Sequence, residues 1–198
     1  MKTGIDLAHV LGAAQAYRAA ALEALTARLA ERRIDDEQRA AHGFAWIATS
    51  VAALEAVLEW RSANGDANPL DAQVAELAFA ETVAQLVGGL PMGQNELARP
   101  ADLGLSHAAR DLAHAARDLI EVDHAPLRAA IAAALASGQW PSETLHDAEL
   151  DAIRNQFRKF TDAEILPHAH QWHLDNALIP DATVQAMAEL GTFGVDRK

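Results

Sequence analysis

The chain has 198 residues, a formal net charge of −12 and no cysteine, and its composition is 51% hydrophobic and 22% charged. It can bury a core, while its acidity disfavours a nucleic-acid partner and the lack of cysteine excludes disulfides, thiolate catalysis and cysteine-ligated zinc. No apolar run approaches the roughly 20 residues of a membrane span, and the N-terminus lacks a signal-peptide pattern, so we expect a cytoplasmic protein without membrane contact.

Helical periodicity dominates the first half of the chain. Apolar residues recur every three or four positions over about 5–32, from Phe44 to Leu58, and over about 70–88. The third of these segments is apolar on nearly every side, which favours a central place in a bundle. The stretch "GGLPMG" at 88–93 is expected to be a turn, and no strand is predicted. The fold class is therefore all-α.

The second half continues in helices. The segment at about 105–122 contains an exact heptad duplicate, because "HAARDL" at 107–112 recurs at 114–119. A heptad spacing keeps the leucines on one stripe of a single helix. A fifth helix begins at Pro126, and "SGQWPS" at 137–142 is predicted to be a linker.

Two apolar stripes follow the linker. The first is expected on a helix capped by Ser142 and the second on a helix that begins at Pro180 and ends at Gly191. Their members are Leu150, Ile153, Phe157 and Phe160 in the first, and Val184, Met187 and Leu190 in the second. Such stripes rarely stay exposed on a monomer. We expect a homodimer or higher oligomer, with Phe157 or Phe160 at or near the contact.

Three histidines lie in "ILPHAHQWHLDNALIP", residues 165–180. On a helix, His168 and His170 point to nearly opposite sides and cannot share a metal ion. His170 and His173 could share one, but two ligands are too few for zinc. The sequence therefore favours a half-exposed structural helix in which Trp172 is buried.

A second set of possible ligands follows one helical stripe: His107, Asp111, His114 and Asp118. The set extends over roughly 16 Å at 1.5 Å per residue, so a single ion cannot contact all four side chains. Local His–Asp pairs on a solvated face are expected instead.

Two Glu-x-x-His pairs complete the candidates: Glu121 with His124, and Glu143 with His146. In di-metal carboxylate bundles such pairs combine with a glutamate from each of two other helices, for which Glu55 and Glu81 are available. Both pairs fall near predicted helix ends. A di-metal four-helix bundle and a stand-alone helical interaction module are the alternatives to the interpretation that follows.

The tail at residues 149–195 resembles the N-terminal region of the acyl-CoA dehydrogenases. The resembling features are the Phe157/Phe160 helix, the acidic turn before Pro167, His168 followed by Trp172, Ile179-Pro180, the run from Met187 to Gly191, and Phe193-Gly194. The stretches 41–58 and 78–104 are similar to the helical N-terminal extension of the (2S)-methylsuccinyl-CoA dehydrogenases of the ethylmalonyl-CoA pathway. The resemblance divides the chain into an extension, 1–140, and the start of a dehydrogenase N-terminal helical domain, 141–198.

The resemblance implies a FAD-dependent oxidation of an acyl-CoA, here of methylsuccinyl-CoA to mesaconyl-CoA. In that family a glutamate removes the α-proton while the β-hydrogen leaves as hydride to the flavin. The family's flavin-binding domain and catalytic glutamate lie beyond the point where this chain reads Asp196-Arg197-Lys198. We therefore expect no catalytic, cofactor-binding or metal-binding residue here. FAD and the acyl-CoA substrate are expected only in the full-length parent.

Overall fold

The computed structural model describes residues 5–65, 67–144 and 146–193. Over these residues the helices are α1 Leu7–Leu29, α2 Gln38–Asn64, α3 Pro69–Gly88, α4 Ser106–Ala115, α5 Arg117–Ile120, α6 Ala125–Ala136, α7 Ala148–Phe160, α8 Leu166–Leu174 and α9 Asp181–Glu189. Two short strands, β1 Leu90–Gly93 and β2 Glu96–Ala98, complete the elements. The predicted all-α class is confirmed. The features expected at Gly194 to Lys198 lie outside the described residues.

The chain divides into two compact units, which we call the first unit, Met1–Ser142, and the second unit, Glu143–Lys198. In the first unit, α1, α2, α3 and α4 pack on one another, and α3 also contacts α5 and α6. The larger fully buried side chains of this core are Tyr17, Ile47, Val51, Leu54, Phe79, Val83, Leu86, Leu112 and Leu119. Burial of each such side chain contributes about 1.5–3 kcal/mol relative to exposure.

Helix α2 is long and apolar enough, by length and composition alone, to cross a membrane, which the sequence analysis had not anticipated. In the first unit its residues Ile47, Val51 and Leu54 are buried in the core beside α1 and α3. Core helices of soluble proteins pass the same test. The absence of membrane contact therefore stays a prediction.

The predicted turn at 88–93 is wrong in part, because Leu90–Gly93 pairs antiparallel with Glu96–Ala98. Leu90, Met92 and Ala98 are buried, so the hairpin follows the strand alternation of inward and outward side chains. Gly43 of α2 allows the hairpin to pack closely, because it has no side chain. A Cβ there would lie 3.3 Å from both Ala98 Cβ and a Leu103 methyl. Four residues that include a proline and a glycine are too few for the pattern to show in sequence.

The predicted helix at about 105–122 is interrupted. Ala116, at φ −100° and ψ 9°, separates α4 from α5. Beyond it, Leu119 N donates to Ala116 O at 2.9 Å, a three-residue bond that tightens the turn. Ala116 and Leu119 remain 1% and 0% exposed. The heptad duplicate therefore keeps its apolar stripe buried across two helices instead of one.

The second unit begins with a helix whose N-cap is Asp147, which accepts from Glu149 N and Leu150 N, so the prediction of Ser142 as cap is wrong. Helices α7 and α8 are joined by a π-helical turn, Thr161–Ile165. Pro167 stands at the start of α8, and proline lacks the N–H that continuous α-helical bonding needs. The wider turn accommodates that missing donor.

Candidate functional site

The histidine-rich helix has a structural character in the described residues. The His168 ring stacks on the Trp172 ring, with centroids 5.7 Å apart and planes inclined by 28°. All three histidines, His168, His170 and His173, are exposed. Trp172 is half-buried, whereas the sequence predicted a buried side chain. A stack of this kind fixes the orientation of one imidazole against an indole and leaves the other two in solvent.

The stripe on α4 and α5 contains one local pair. His107 Nδ1 lies 2.8 Å from Asp111 Oδ2, with the two side chains 83% and 68% exposed. This confirms the predicted local pairing for the first two members. Asp118 instead accepts from the adjacent Arg117 at 3.4 Å. Exposed pairs of this kind contribute little to stability.

The Glu-x-x-His pairs do not lie within helices. Glu121 is the residue that follows α5, and His124 precedes α6 with its Nε2 2.6 Å from Leu119 O. Glu143 and His146 belong to the second unit and precede α7, with His146 at a φ of 56°. A di-metal bundle needs such pairs on helices that face one another, and this requirement is not met here.

The carboxylates that could complete such a site already have cationic partners. Glu55 accepts from Gln15 at 2.8 Å and pairs with Arg18 at 3.1 Å, and these two contacts lower its pKa. Glu81 pairs with Arg128 at 2.9 Å. Among the described residues, no group of three or more histidine, aspartate or glutamate side chains could hold a metal ion. That the chain binds no metal stays a prediction.

The segment predicted as a linker, 137–142, is docked on the first unit at its end. Asn68 Nδ2 donates to Trp140 O at 2.9 Å, and Trp60 Nε1 donates to Ser142 O at 3.0 Å. Ser142 N donates to Asp71 Oδ1 at 2.8 Å. We call residues 140–142 the strap. No local sequence pattern predicts it, because its partners are 71 to 82 positions away.

Asp71 is the buried member of this network, with 0% exposure in the first turn of α3. One of its oxygens holds Ser142 N, and the other, Oδ2, is buried without a hydrogen-bond partner in the described residues. The N-terminus of a helix favours a carboxylate, which offsets part of the cost of burial. The strap is therefore bound by the Asp71 carboxylate, which lies at the helix end that stabilises a negative charge.

In the second unit a cluster of charges ties the start of the unit to α7. Arg158 Nη1 donates to Glu143 at 2.7 Å, and the Arg158 guanidinium lowers the pKa of the Glu143 carboxyl. The same contact raises the pKa of Arg158. Arg154 pairs with Asp151 at 2.9 Å and also donates to the Glu143 carbonyl. Glu143 is thus a local structural contact and not a free ligand.

The helices of the second unit leave their apolar side chains exposed. No described residue of α7, α8 or α9 is buried. The exposed apolar side chains, which we call the apolar surface of the second unit, are Leu150, Ile153, Leu166, Leu174, Leu178, Ile179, Val184 and Phe193. Val184, a member of the second predicted stripe, is 41% exposed. So many exposed apolar side chains in one unit are typical of an interaction surface.

Comparison with known proteins shows which proteins the chain is similar to. Residues 147–197 match the sequence family described as "Acyl-CoA dehydrogenase, N-terminal domain". The matched stretch lies in the second unit. The predicted resemblance is confirmed: the chain is related to the N-terminal part of the acyl-CoA dehydrogenases.

One curated relative is similar over most of the chain. The chain is 36% identical over 177 residues to the (2S)-methylsuccinyl-CoA dehydrogenase of Cereibacter sphaeroides. The aligned region covers 85% of this chain and 32% of the relative. The chain thus spans about a third of the length of the curated relative that it matches. No solved structure matches the chain.

Proposed function

We propose that this chain is the N-terminal region of a FAD-dependent acyl-CoA dehydrogenase that oxidises methylsuccinyl-CoA to mesaconyl-CoA. The supporting observation is an alignment of 177 residues at 36% identity, which is too long to fit within the second unit alone. The similarity to a methylsuccinyl-CoA dehydrogenase therefore includes the helical extension, and does not stop at the segment shared by acyl-CoA dehydrogenases in general.

The described residues do not form a site that fits FAD. The groove between α1 and α4 is lined mainly by alanine and leucine and offers no cation for a diphosphate. The polar cavity near Arg28, Arg32 and Arg39 has its arginines engaged: the first two contact Glu37 and the third contacts Asp102. We assign no FAD contact or catalytic group to this chain. In the proposed parent, FAD would accept the hydride, and the residues that hold FAD would lie outside this chain.

The role we propose for the chain itself is structural. The first unit is a packed bundle with its own buried core, and the second unit presents an apolar surface for burial against another part of the assembly. A second copy of the chain is the partner we propose, with Phe157 or Phe160 at or near the contact. Both side chains are half-buried on α7, next to the exposed Leu150 and Ile153.

A chimera tests the dehydrogenase proposal. This chain replaces the aligned third of the Cereibacter sphaeroides relative, and the purified chimera is assayed for flavin absorbance and for dye reduction with methylsuccinyl-CoA. We expect a yellow, active protein, and we expect the 198-residue chain alone to be colourless and inactive. A soluble, folded chimera that holds no flavin, or stoichiometric flavin in the chain alone, would contradict the proposal.

Light scattering on a size-exclusion column tests self-association. We expect a dimer or larger species at tens of micromolar that dissociates in Phe157→Asp. The matched control is Leu22→Asp, which places the same charge on an exposed leucine of α1 in the first unit. A monomeric parent chain, or equal dissociation in both variants, would exclude α7 as the contact.

A further inference from the structure

A groove of the first unit is lined by two arginines and, among the described residues, by no acidic one. The end of α3, the turn after β2 and the first half of α4 form it, and its volume is about 420 Å³. That volume lies in the lower half of the range of known ligand pockets, which suits a small molecule rather than a dinucleotide such as FAD. Beside Arg99 and Arg110, the apolar lining residues are Val87, Pro100, Ala101, Ala109 and Ala113.

Both arginines lack a partner in the described part of the chain. Arg99, Arg110 and Lys159 of the second unit form no hydrogen bond or ion pair with another described residue, and all three side chains are exposed. Every other described arginine contacts an acceptor. In a chain with a net charge of −12, cations readily find acids of their own chain. Two of the three described exceptions nevertheless line the same groove.

The lining determines the kind of ligand. Guanidinium groups bind carboxylate and phosphate oxygens through charge-assisted hydrogen bonds, and their planar shape allows two such bonds at once. Because no described acid of the groove competes, an anion would meet two uncompensated positive charges. The apolar residues beside the arginines would contact an aliphatic body, whose removal from water is favourable.

We propose that this groove, which we call the two-arginine groove, binds one small organic anion with an aliphatic body and a carboxylate or phosphate head group. Arg99 and Arg110 donate to the oxygens of the head group, and Val87, Pro100 and Ala109 contact the body. The site belongs to the first unit alone and does not depend on the proposed dehydrogenase activity.

Isothermal titration calorimetry of the full chain at low ionic strength tests the ligand class, with hexyl phosphate as the probe. We expect saturable one-to-one binding that is at least about threefold tighter than that of inorganic phosphate, which lacks the body. Hexanoate reports on a carboxylate head group and should bind more weakly than hexyl phosphate, because it has a single charge for two guanidiniums. 1-Hexanol, which has no charge, should not bind detectably. Equal affinity for hexyl phosphate and inorganic phosphate would overturn the proposal.

Charge variants locate the site. Arg99→Gln and Arg110→Gln should each weaken hexyl phosphate binding by about threefold to tenfold. The matched control is Lys159→Gln, which removes the same charge from another unpaired cation outside the groove and should leave the affinity unchanged. Equal weakening in Arg110→Gln and Lys159→Gln would show attraction to net charge alone and overturn the proposal. So would dissociation of an oligomer by Arg110→Gln when the parent chain binds no hexyl phosphate, because the groove would then hold an acidic segment of a second copy.

Discussion

The two units have similar helical patterns of apolar residues, but only the first unit buries them. Phe79 of α3 is 0% exposed inside a core shared by four helices, whereas Leu150 and Ile153 of α7 are each 47% exposed. Periodicity determines which face of a helix is apolar, and neighbouring elements determine whether that face is covered. Helix α7 of the second unit thus has the apolar pattern of a core helix, but no described residue covers its apolar face.

The largest expected effect comes from cutting into the buried core. Phe79→Ala should lower the free energy of unfolding by about 3–5 kcal/mol, because it leaves a cavity among packed helices. The matched change Phe157→Ala, on a half-buried residue of α7, should cost less than about 1 kcal/mol in a dilute monomer. Urea unfolding followed by circular dichroism measures both. Equal losses would remove the distinction between the units.

The strap gives the next effect. Asp71→Ala removes the acceptor of Ser142 N from a buried position, and we expect a loss of about 1–3 kcal/mol in urea unfolding. The released chain should also be cut faster after Glu143 by a glutamyl endopeptidase. Asp71→Asn keeps one acceptor oxygen and should be milder by both measures. Identical cleavage of the alanine variant and the parent chain would contradict the strap.

A pair of glycines probes the packing of the hairpin. Gly43→Ala should destabilise the first unit by about 1 kcal/mol, because the new Cβ would lie 3.3 Å from Ala98 and Leu103. Gly12→Ala, in α1 with nothing within 4 Å, should stabilise it by about 0.5–1 kcal/mol. Thermal unfolding midpoints give both values. A shift of the same sign in the two variants would show that the hairpin does not pack on α2 as described.

The smallest effect concerns pH in the second unit. The Arg158 guanidinium lowers the pKa of Glu143. A carboxyl with a lowered pKa stabilises its folded contact above its ordinary pKa, and that stabilisation is lost as pH falls through the lowered value. Arg158→Gln should return the pKa of Glu143 to its ordinary range in a carboxyl NMR titration. An unchanged titration would place the charge pair outside the folded second unit.

Sequence patterns were sufficient for helices and insufficient for contacts between distant residues. Gly65 and Pro69 separate α2 from α3 as predicted, because their effects on the backbone are local. The hairpin at 90–98 was missed because its strands are short, and the turn at Ala116 because the heptad repeat continues through it. The strap depends on side chains of α2 and α3 that no local pattern connects to Ser142.

The candidate sites divide in the same way. The divergence of His168 and His170 and the pairing of His107 with Asp111 follow from helix geometry, which sequence spacing contains. The burial of Asp71 follows from which elements pack together. A carboxylate on an otherwise apolar helical face is the signal in the sequence that could have identified it.

Hydrogen exchange at two protein concentrations, about 1 µM and about 50 µM, distinguishes helices that the first unit buries itself from helices that a second copy would cover. We expect amides of α2 to be equally protected at both concentrations, because the first unit covers its own core. Amides of α7 should be weakly protected at the lower concentration and more strongly at the higher one, where a second copy covers the apolar surface. Protection of α7 equal to that of α2 at the lower concentration would show that α7 is covered without a second copy.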